Sequence, residues 1–229
     1  MINSQEEGAT MYDKPISYSG LSLFRKCPKA WADAYIDGNR SEPGAAARRG
    51  TKLHEQLEMF FTTDGEHPLV NNSVLHSWHE YMSALLAHNP TVERQIAAYK
   101  NWGPASFDDP TANTRGAVDL EYQVGRTLYI YDWKSGKLYD THVDQGKYYA
   151  AMSLHRDVDN FVVRFVYLDH DHIAEWSYTR DEVKLIQLAL DAEIQVLRIT
   201  ESYQGNPSND NCKWCPLSWR RGGACVDAP

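Results

Sequence analysis

At 229 residues the chain is long enough to bury one sizeable core without help from disulfides. Its formal net charge of -8 argues against a protein that coats nucleic acid through charge alone, because such binding depends on neutralising phosphates. No stretch reaches the ~18 apolar residues of a membrane span and no signal peptide is evident, so we expect a cytoplasmic protein without membrane association.

Helices fill the first third of the sequence. Residues 1–15 are polar and are predicted to form a flexible arm. Ser19 is the expected cap of an apolar-periodic segment that extends to Tyr35. Further helices are predicted over residues 45–61 and 74–87.

Strands dominate the middle of the sequence. Alternating, β-branched and aromatic runs predict strands at 92–99, 115–124, 127–133, 161–168 and 173–178, with a helix at 144–155. Thr179 is expected to cap a long amphipathic helix that ends near residue 203. The tail from residue 204 is rich in Gly, Pro, Asn and Cys and has no period.

Two aspartates are predicted to face each other across a hairpin. Gly125-Arg126 fits a two-residue type II′ turn, and the resulting register opposes Asp119 and Asp132. Two carboxylates at that spacing repel unless a cation lies between them, and Mg²⁺ or Mn²⁺ prefers such oxygen ligands. Lys134 would project from the same face. The alternative is an exposed hairpin with ordinary surface charges.

The four cysteines are divided between the two ends of the chain. Cys27 is separated from Cys212, Cys215 and Cys225, which form C-x₂-C-x₉-C. Reduced cytoplasmic thiols favour a metal site over disulfides, and a four-thiolate site here would join both ends. Spacing does not choose between zinc and an iron–sulfur cluster, and four reduced, unliganded cysteines are the third interpretation.

Five short motifs, in order, resemble the PD-(D/E)XK nuclease superfamily. They are SYSGLSLFRKCPKAW, GTKLHE from Gly50 to Glu55, Gly116 to Asp119, Asp132 with Lys134, and Gln145 to Tyr149. The resemblance is to the RecB-like branch, which includes the AddB nuclease domain, CRISPR-associated adaptation nucleases and phage exonucleases. It covers nearly the whole chain.

The resemblance implies a role for each motif residue. His54, Asp119 and Asp132 resemble the metal ligands and Lys134 the catalytic lysine, whereas Gln145 and Tyr149 resemble residues that support the site and contact DNA. Glu93 resembles an acidic position that precedes the metal motif in some relatives. From spacing alone, His54 borders an apolar helical stripe, where a lone histidine is more often a satisfied core residue.

The resemblance also implies a cofactor for the cysteines. In this branch, one N-terminal and three C-terminal cysteines hold a [4Fe–4S] cluster. The nine-residue gap before Cys225 departs from the shorter gap that is usual there, which leaves Zn²⁺ open. Either metal would act by holding the nuclease core closed.

Together these features predict an α/β fold with a restriction-endonuclease-like mixed central sheet, flanking helices, an N-terminal helical region and a cysteine-stapled C-terminal tail. Residues 16–229 are expected to form a single nuclease domain, in which a cysteine clasp joins residue 27 to 212–225. The expected function is metal-dependent DNA exonuclease activity in recombination, repair or phage DNA processing, with a helicase or recombination protein as partner. The alternatives are a structure-selective endonuclease and a non-catalytic, metal-stapled nucleic-acid-binding subunit.

Overall fold

The computed structural model describes residues 12–40, 42–69, 72–139, 142–213, 215–223 and 225–227. These residues form two compact units, one from the described parts of 1–41 and 191–229 and the other from 42–190. The expected flexible arm lies outside the described residues for positions 1–11. The expectation of one domain from residue 16 onward stays a prediction.

The unit of residues 42–190 contains a six-stranded sheet in the order β2-β1-β3-β4-β5-β6. The strands are β1 (Thr91–Ala98), β2 (Pro104–Ala105), β3 (Thr114–Val124), β4 (Thr127–Lys134), β5 (Asn160–Tyr167) and β6 (His172–Thr179). β4 and β5 pair in parallel and the other neighbours are antiparallel. The five longer strands match the predicted ones, whereas the two-residue β2 was missed because so short a run has no period.

The hairpin of β3 and β4 has the predicted register. Val124 pairs with Thr127, and regular pairing continues to Leu120 with Tyr131. Gly125 has a φ of 57°, and a positive φ is what the first position of a type II′ turn requires. The prediction of this turn is confirmed.

Helices cover the sheet as expected for an α/β fold. They are α3 (Ala45–Thr62), α4 (Ser73–Ser77), α5 (His79–Leu86) and α6 (His142–Ser153), and α3 to α5 share a core with aromatic and aliphatic side chains of β3 to β5. α6 is the crossover between the parallel strands β4 and β5. The predicted helix 74–87 is interrupted at Trp78, which separates α4 from α5. The mixed sheet flanked by helices confirms the predicted fold class.

A long helix, α7 (Arg180–Ile199), follows β6 directly. Thr179 and Glu182 cap it reciprocally: the Glu182 carboxylate accepts the Thr179 N–H at 2.7 Å, and the Thr179 hydroxyl accepts the Glu182 N–H at 3.3 Å. This capping box confirms the predicted start of the helix.

The other unit is built from both ends of the chain. It contains α1 (Tyr18–Lys26), α2 (Pro28–Tyr35), α8 (Asn209–Cys212) and a 3₁₀ turn (Trp219–Arg221). The prediction that Ser19 caps the first helix is wrong, because the Ser17 hydroxyl accepts the N–H of Gly20 and the helix begins at Tyr18. Arg198 donates to the carbonyls of Tyr12 and Lys14 in this unit.

Candidate metal centre and active site

The ladder between β3 and β4 ends one step before the two predicted acids. Beyond that point a side chain replaces the backbone acceptor: Oδ2 of Asp119 accepts the backbone N–H of Trp133 at 2.6 Å. Asp119 and Asp132 are both buried, at 8% and 3% exposure. Burial and the charge of Asp132 raise the pKa of Asp119. The structure thus brings two carboxylates close together in a poorly solvated place.

His54 reaches this position from α3. Its Nδ1 lies 3.3 Å from Asp119 Oδ1, and its Nε2 lies 2.8 Å from the carbonyl oxygen of Trp133. Because a carbonyl can only accept, Nε2 carries a hydrogen, and this contact fixes the orientation of the ring. Burial lowers the pKa of His54, but the hydrogen bond to Asp119 and the nearby carboxylates outweigh it and raise the pKa to about 9.

Glu93 completes a three-ligand group. One ligand atom each of His54, Glu93 and Asp119 lie within 4.8 Å of one another. Glu93 has a φ of 46°, a left-handed conformation that is uncommon for a non-glycine residue, and it interrupts otherwise regular pairing of β1 with β3. Burial and the charge of Asp119 raise the pKa of Glu93 to about 7.

These three residues fit a divalent cation. Two carboxylates and one imidazole with its second nitrogen bonded to a carbonyl are a donor set that metal sites use. Burial and the repulsion between neighbouring carboxylates raise both carboxyl pKa values, and a bound cation would relieve the repulsion. Beside them is an open cavity of about 410 Å³, lined by Gly50, Thr51, His54, Glu55, Glu58 and Glu93. A ligand therefore has access to the group.

Asp132, Lys134, Gln145 and Tyr149 form a second connected group. Lys134 Nζ lies 2.5 Å from Asp132 Oδ1 and donates to Gln145 Oε1 at 2.8 Å. Gln145 Nε2 donates to Asp132 Oδ2 at 2.9 Å, and the Tyr149 hydroxyl donates to the same oxygen at 3.1 Å. Gln145 and Tyr149 share one face of α6, as their spacing indicated. The Asp132 carboxylate is thus held by three side chains.

A glycine allows α3 to lie close to the end of β4. A Cβ on Gly50 would lie 2.9 Å from the hydroxyl of Ser135, the residue that follows Lys134. In the structure the close neighbour is Ser135, which periodicity could not identify because the two residues are 85 positions apart.

The four cysteines line one small cavity in the unit formed by the chain ends. Cys27, Cys212, Cys215 and Cys225 all border it, and none forms a disulfide. The backbone N–H of Asn206 donates to Cys27 Sγ at 3.4 Å. Burial raises the pKa of the Cys215 thiol, although backbone hydrogen bonds from Leu217 and Ser218 oppose the shift. Cysteines that are almost 200 residues apart in sequence are therefore neighbours.

None of the helices in the described part of the chain combines the length and the apolar character that a membrane span requires. No curated protein matches the sequence. One matching solved structure, titled "Crystal structure of SSO0001", shares 15% sequence identity, and the match covers 94% of this chain and 87% of that chain. The TM-score of this match is 0.41.

A sequence model of the PD-(D/E)XK nuclease superfamily matches residues 15–220. Members of this superfamily are hydrolytic nucleases that act on nucleic acid and use divalent metals such as Mg²⁺ or Mn²⁺. The matched range includes both groups of side chains around Asp119 and Asp132 and all six strands of the sheet. Because the match extends over most of the sequence, the chain belongs to the PD-(D/E)XK nuclease superfamily.

Proposed function

We propose that this protein is a metal-dependent DNA exonuclease of the RecB-like branch that acts in recombination, repair or phage DNA processing, beside a helicase or recombination partner. The observation that supports this most strongly is the meeting of two groups of side chains. His54, Glu93 and Asp119 offer converging ligand atoms, and Asp119 interacts electrostatically with Asp132, the partner of Lys134.

In this proposal the first group, together with Asp132, holds Mg²⁺ or Mn²⁺. The bound ion would supply Lewis acidity and neutralise charge on a phosphate oxygen. His54 presents Nδ1 toward the carboxylates because Nε2–H is committed to the Trp133 carbonyl. Asp132 would have to share its carboxylate between this role and its contact with Lys134.

Lys134 is the proposed catalytic cation. Its ammonium group is partly buried, with 19% of the side chain exposed, and lies 5.2 Å from the centre of the Phe165 ring. From there it can orient a water molecule for attack on phosphorus and stabilise the negative charge that develops on the phosphate. The water oxygen forms the new P–O bond while the P–O bond to the leaving strand breaks.

Gln145 and Tyr149 are proposed as positioning residues. Gln145 accepts from Lys134 and donates to Asp132, so one amide fixes the distance between the catalytic cation and its carboxylate. Tyr149 donates to the same carboxylate and accepts from Gln145. Contact of these two residues with DNA is part of the proposal.

We further propose that the cysteine cavity holds a [4Fe–4S] cluster, with Zn²⁺ as the alternative. All four thiols border this one cavity, as a site with four thiolate ligands requires. The Asn206 N–H that donates to Cys27 Sγ is a hydrogen bond of the kind that tunes cluster potentials.

The test is hydrolysis of end-labelled linear DNA and closed circular DNA with Mg²⁺ or Mn²⁺. We expect anaerobically purified wild type to degrade linear DNA, and Asp119→Asn and Lys134→Ala to be folded but inactive. Lys184→Ala, which removes an exposed lysine on α7, is the matched control and should be as active as wild type. Cleavage of circular DNA would indicate an endonuclease, and a folded, metal-loaded but inert wild type would indicate a binding subunit.

A further inference from the structure

The segment that follows the proposed catalytic lysine exposes apolar side chains beside the active site. Leu138 and Tyr139 are 50% and 55% exposed, four and five residues after Lys134. Lys137, which precedes them, is also exposed, and it forms no ion pair within the described part of the chain. A cationic, an aliphatic and an aromatic side chain are thus exposed at three consecutive positions.

Two hydrogen bonds hold the start of this segment. Gly136 donates its N–H to Asp169 at 2.7 Å, and its carbonyl oxygen lies 2.6 Å from Nε2 of His170. Gly136 has a φ of 94°, which only glycine adopts without strain, so the chain turns sharply at this anchor. Asp169 belongs to the connection between β5 and β6.

The anchor extends to α3. Arg49, which is five residues before His54 on the same helix, binds Asp169 through two hydrogen bonds of 2.8 and 2.6 Å. This bidentate pair holds the pKa of the Asp169 carboxyl below its usual range, so the carboxylate stays charged as an acceptor for Gly136. The exposed side chains therefore stand on a segment that is tied both to the sheet and to α3.

The far end of the segment is held as well. The Tyr139 carbonyl accepts the N–H of His142 at 3.3 Å, and the two rings meet edge to face with centroids 5.6 Å apart. An edge-to-face contact covers at most one face of the Tyr139 ring, so the other face is not stacked on His142. Tyr139 is thus braced next to α6, the helix that carries Gln145.

We infer that Lys137, Leu138 and Tyr139 form a stacking platform for unpaired DNA, so that the enzyme engages single-stranded or frayed ends. The inference rests on the proposed function, because it assumes that the nucleic acid bound at Lys134 is DNA. Apolar side chains gain little from the phosphate surface of a duplex, whereas an unpaired base offers a π-face to an aromatic ring. Lys137 complements the phosphates of the same strand.

The test compares binding and cleavage of a single-stranded oligonucleotide with those of a blunt duplex of the same length. In a Lys134→Ala background, which prevents degradation during titration, Tyr139→Ala should weaken single-strand binding by about tenfold, given the stacking energy of one base. Leu138→Ala should act in the same direction and Tyr139→Phe should bind like its parent. Binding of the duplex should change little in all of them.

Leu188→Ala is the matched control, because it removes a 65% exposed leucine on α7 and should leave both affinities unchanged. Three results would overturn the platform. The first is unchanged single-strand binding in Tyr139→Ala and Leu138→Ala, and the second is an equal loss of binding on both DNAs. The third is a wild-type preference for the blunt duplex. If wild type hydrolyses neither DNA but Tyr139→Ala still loses single-strand binding, the nuclease proposal fails while the platform stands.

Discussion

Glu93 shows how one residue can change the composition of a site. The hairpin register and the resemblance pointed to Asp119 and Asp132 as the acids, but the ligand atoms that converge on His54 belong to Asp119 and Glu93. Glu93 is on another strand, between the residues that pair with Leu120 and Val118, and sequence periodicity does not indicate which strands are neighbours in the sheet. The signal that could have found it was the acidic position of some relatives.

Replacement of Glu93 should therefore weaken metal binding directly. Glu93→Gln keeps the size of the side chain but removes the charge that the cation would neutralise, so we expect the affinity for Mn²⁺ to fall by at least tenfold, as measured by calorimetry on metal-free protein. Glu55→Gln is the control, because Glu55 lines the same cavity outside the three-ligand group. Equal effects of the two variants would mean that general cavity charge, and not the group, attracts the ion.

His142, which is not one of the proposed metal ligands, gives a pH-dependent prediction. Burial and the charge of Lys134 lower the pKa of His142 to about 4, while the ring stacks on Phe165 and Tyr167. The unfolded chain binds this proton near pH 6.5, so the contribution to stability is present above that pH and is lost as the pH falls toward 4.

We expect the free energy of unfolding of wild type, measured by urea titration in chelator, to fall more steeply from pH 6.5 to 4 than that of His142→Phe. The phenylalanine keeps the ring but does not titrate. His76→Gln, which changes an exposed histidine, should have the wild-type slope. Parallel curves for wild type and His142→Phe would contradict the prediction.

At the scale of elements, the distance between α6 and β5 controls the site. α6 carries Gln145 and Tyr149, and the next residue after Gln145 is a buried glycine. A Cβ on Gly146 would lie 3.1 Å from Val163 and 3.2 Å from Phe165. The absence of a side chain at this position lets the helix approach closely enough for Gln145 to bond with Lys134 and Asp132.

Gly146→Ala should push α6 away from β5. Overpacking of this size costs about 1–3 kcal/mol, and we expect a matching loss in urea unfolding together with reduced nuclease activity. Removing the clashing methyl groups with Val163→Ala should make the double variant more stable than the sum of the single effects predicts. Gly44→Ala, at a position with no atom within 4 Å of the added Cβ, is the control. Additive effects would show that the contact does not determine the spacing.

At the scale of the whole molecule, the two ends of the chain form one unit around the cysteine cavity, and residues 42–190 form the other. A metal bound to Cys27 and to the C-terminal cysteines would close a loop of almost the full sequence, which restricts the unfolded chain. The unit of the chain ends should therefore depend on the metal for its stability.

Cys215→Ser should lose the bound metal and unfold at a lower temperature than wild type in anaerobic calorimetry. Elemental analysis of wild type is expected to give ~4 iron and ~4 sulfide per chain for a cluster, whereas one zinc and no iron would favour the alternative. A wild type that binds neither metal, with an unfolding temperature unaffected by Cys215→Ser, would leave the thiols without a structural role.

The sequence by itself determined the local architecture of this protein. Periods of 3.6 and 2 located the long helices and the five longer strands, because side-chain burial imposes those periods along the chain. The Gly125-Arg126 turn set the register of β3 and β4, since a two-residue loop fixes which residues are opposite each other. The ordered motifs indicated the superfamily that the match over residues 15–220 shows.

Only the tertiary structure decided which distant residues meet. The contacts of His54 with the Trp133 carbonyl, Gly50 with Ser135 and Arg49 with Asp169 join residues 79, 85 and 120 positions apart. The left-handed Glu93 and the Asp119 side chain that replaces a ladder hydrogen bond are departures from regular strands. Sequence periodicity describes an element and its faces, whereas such contacts depend on how elements pack, and packing has no period.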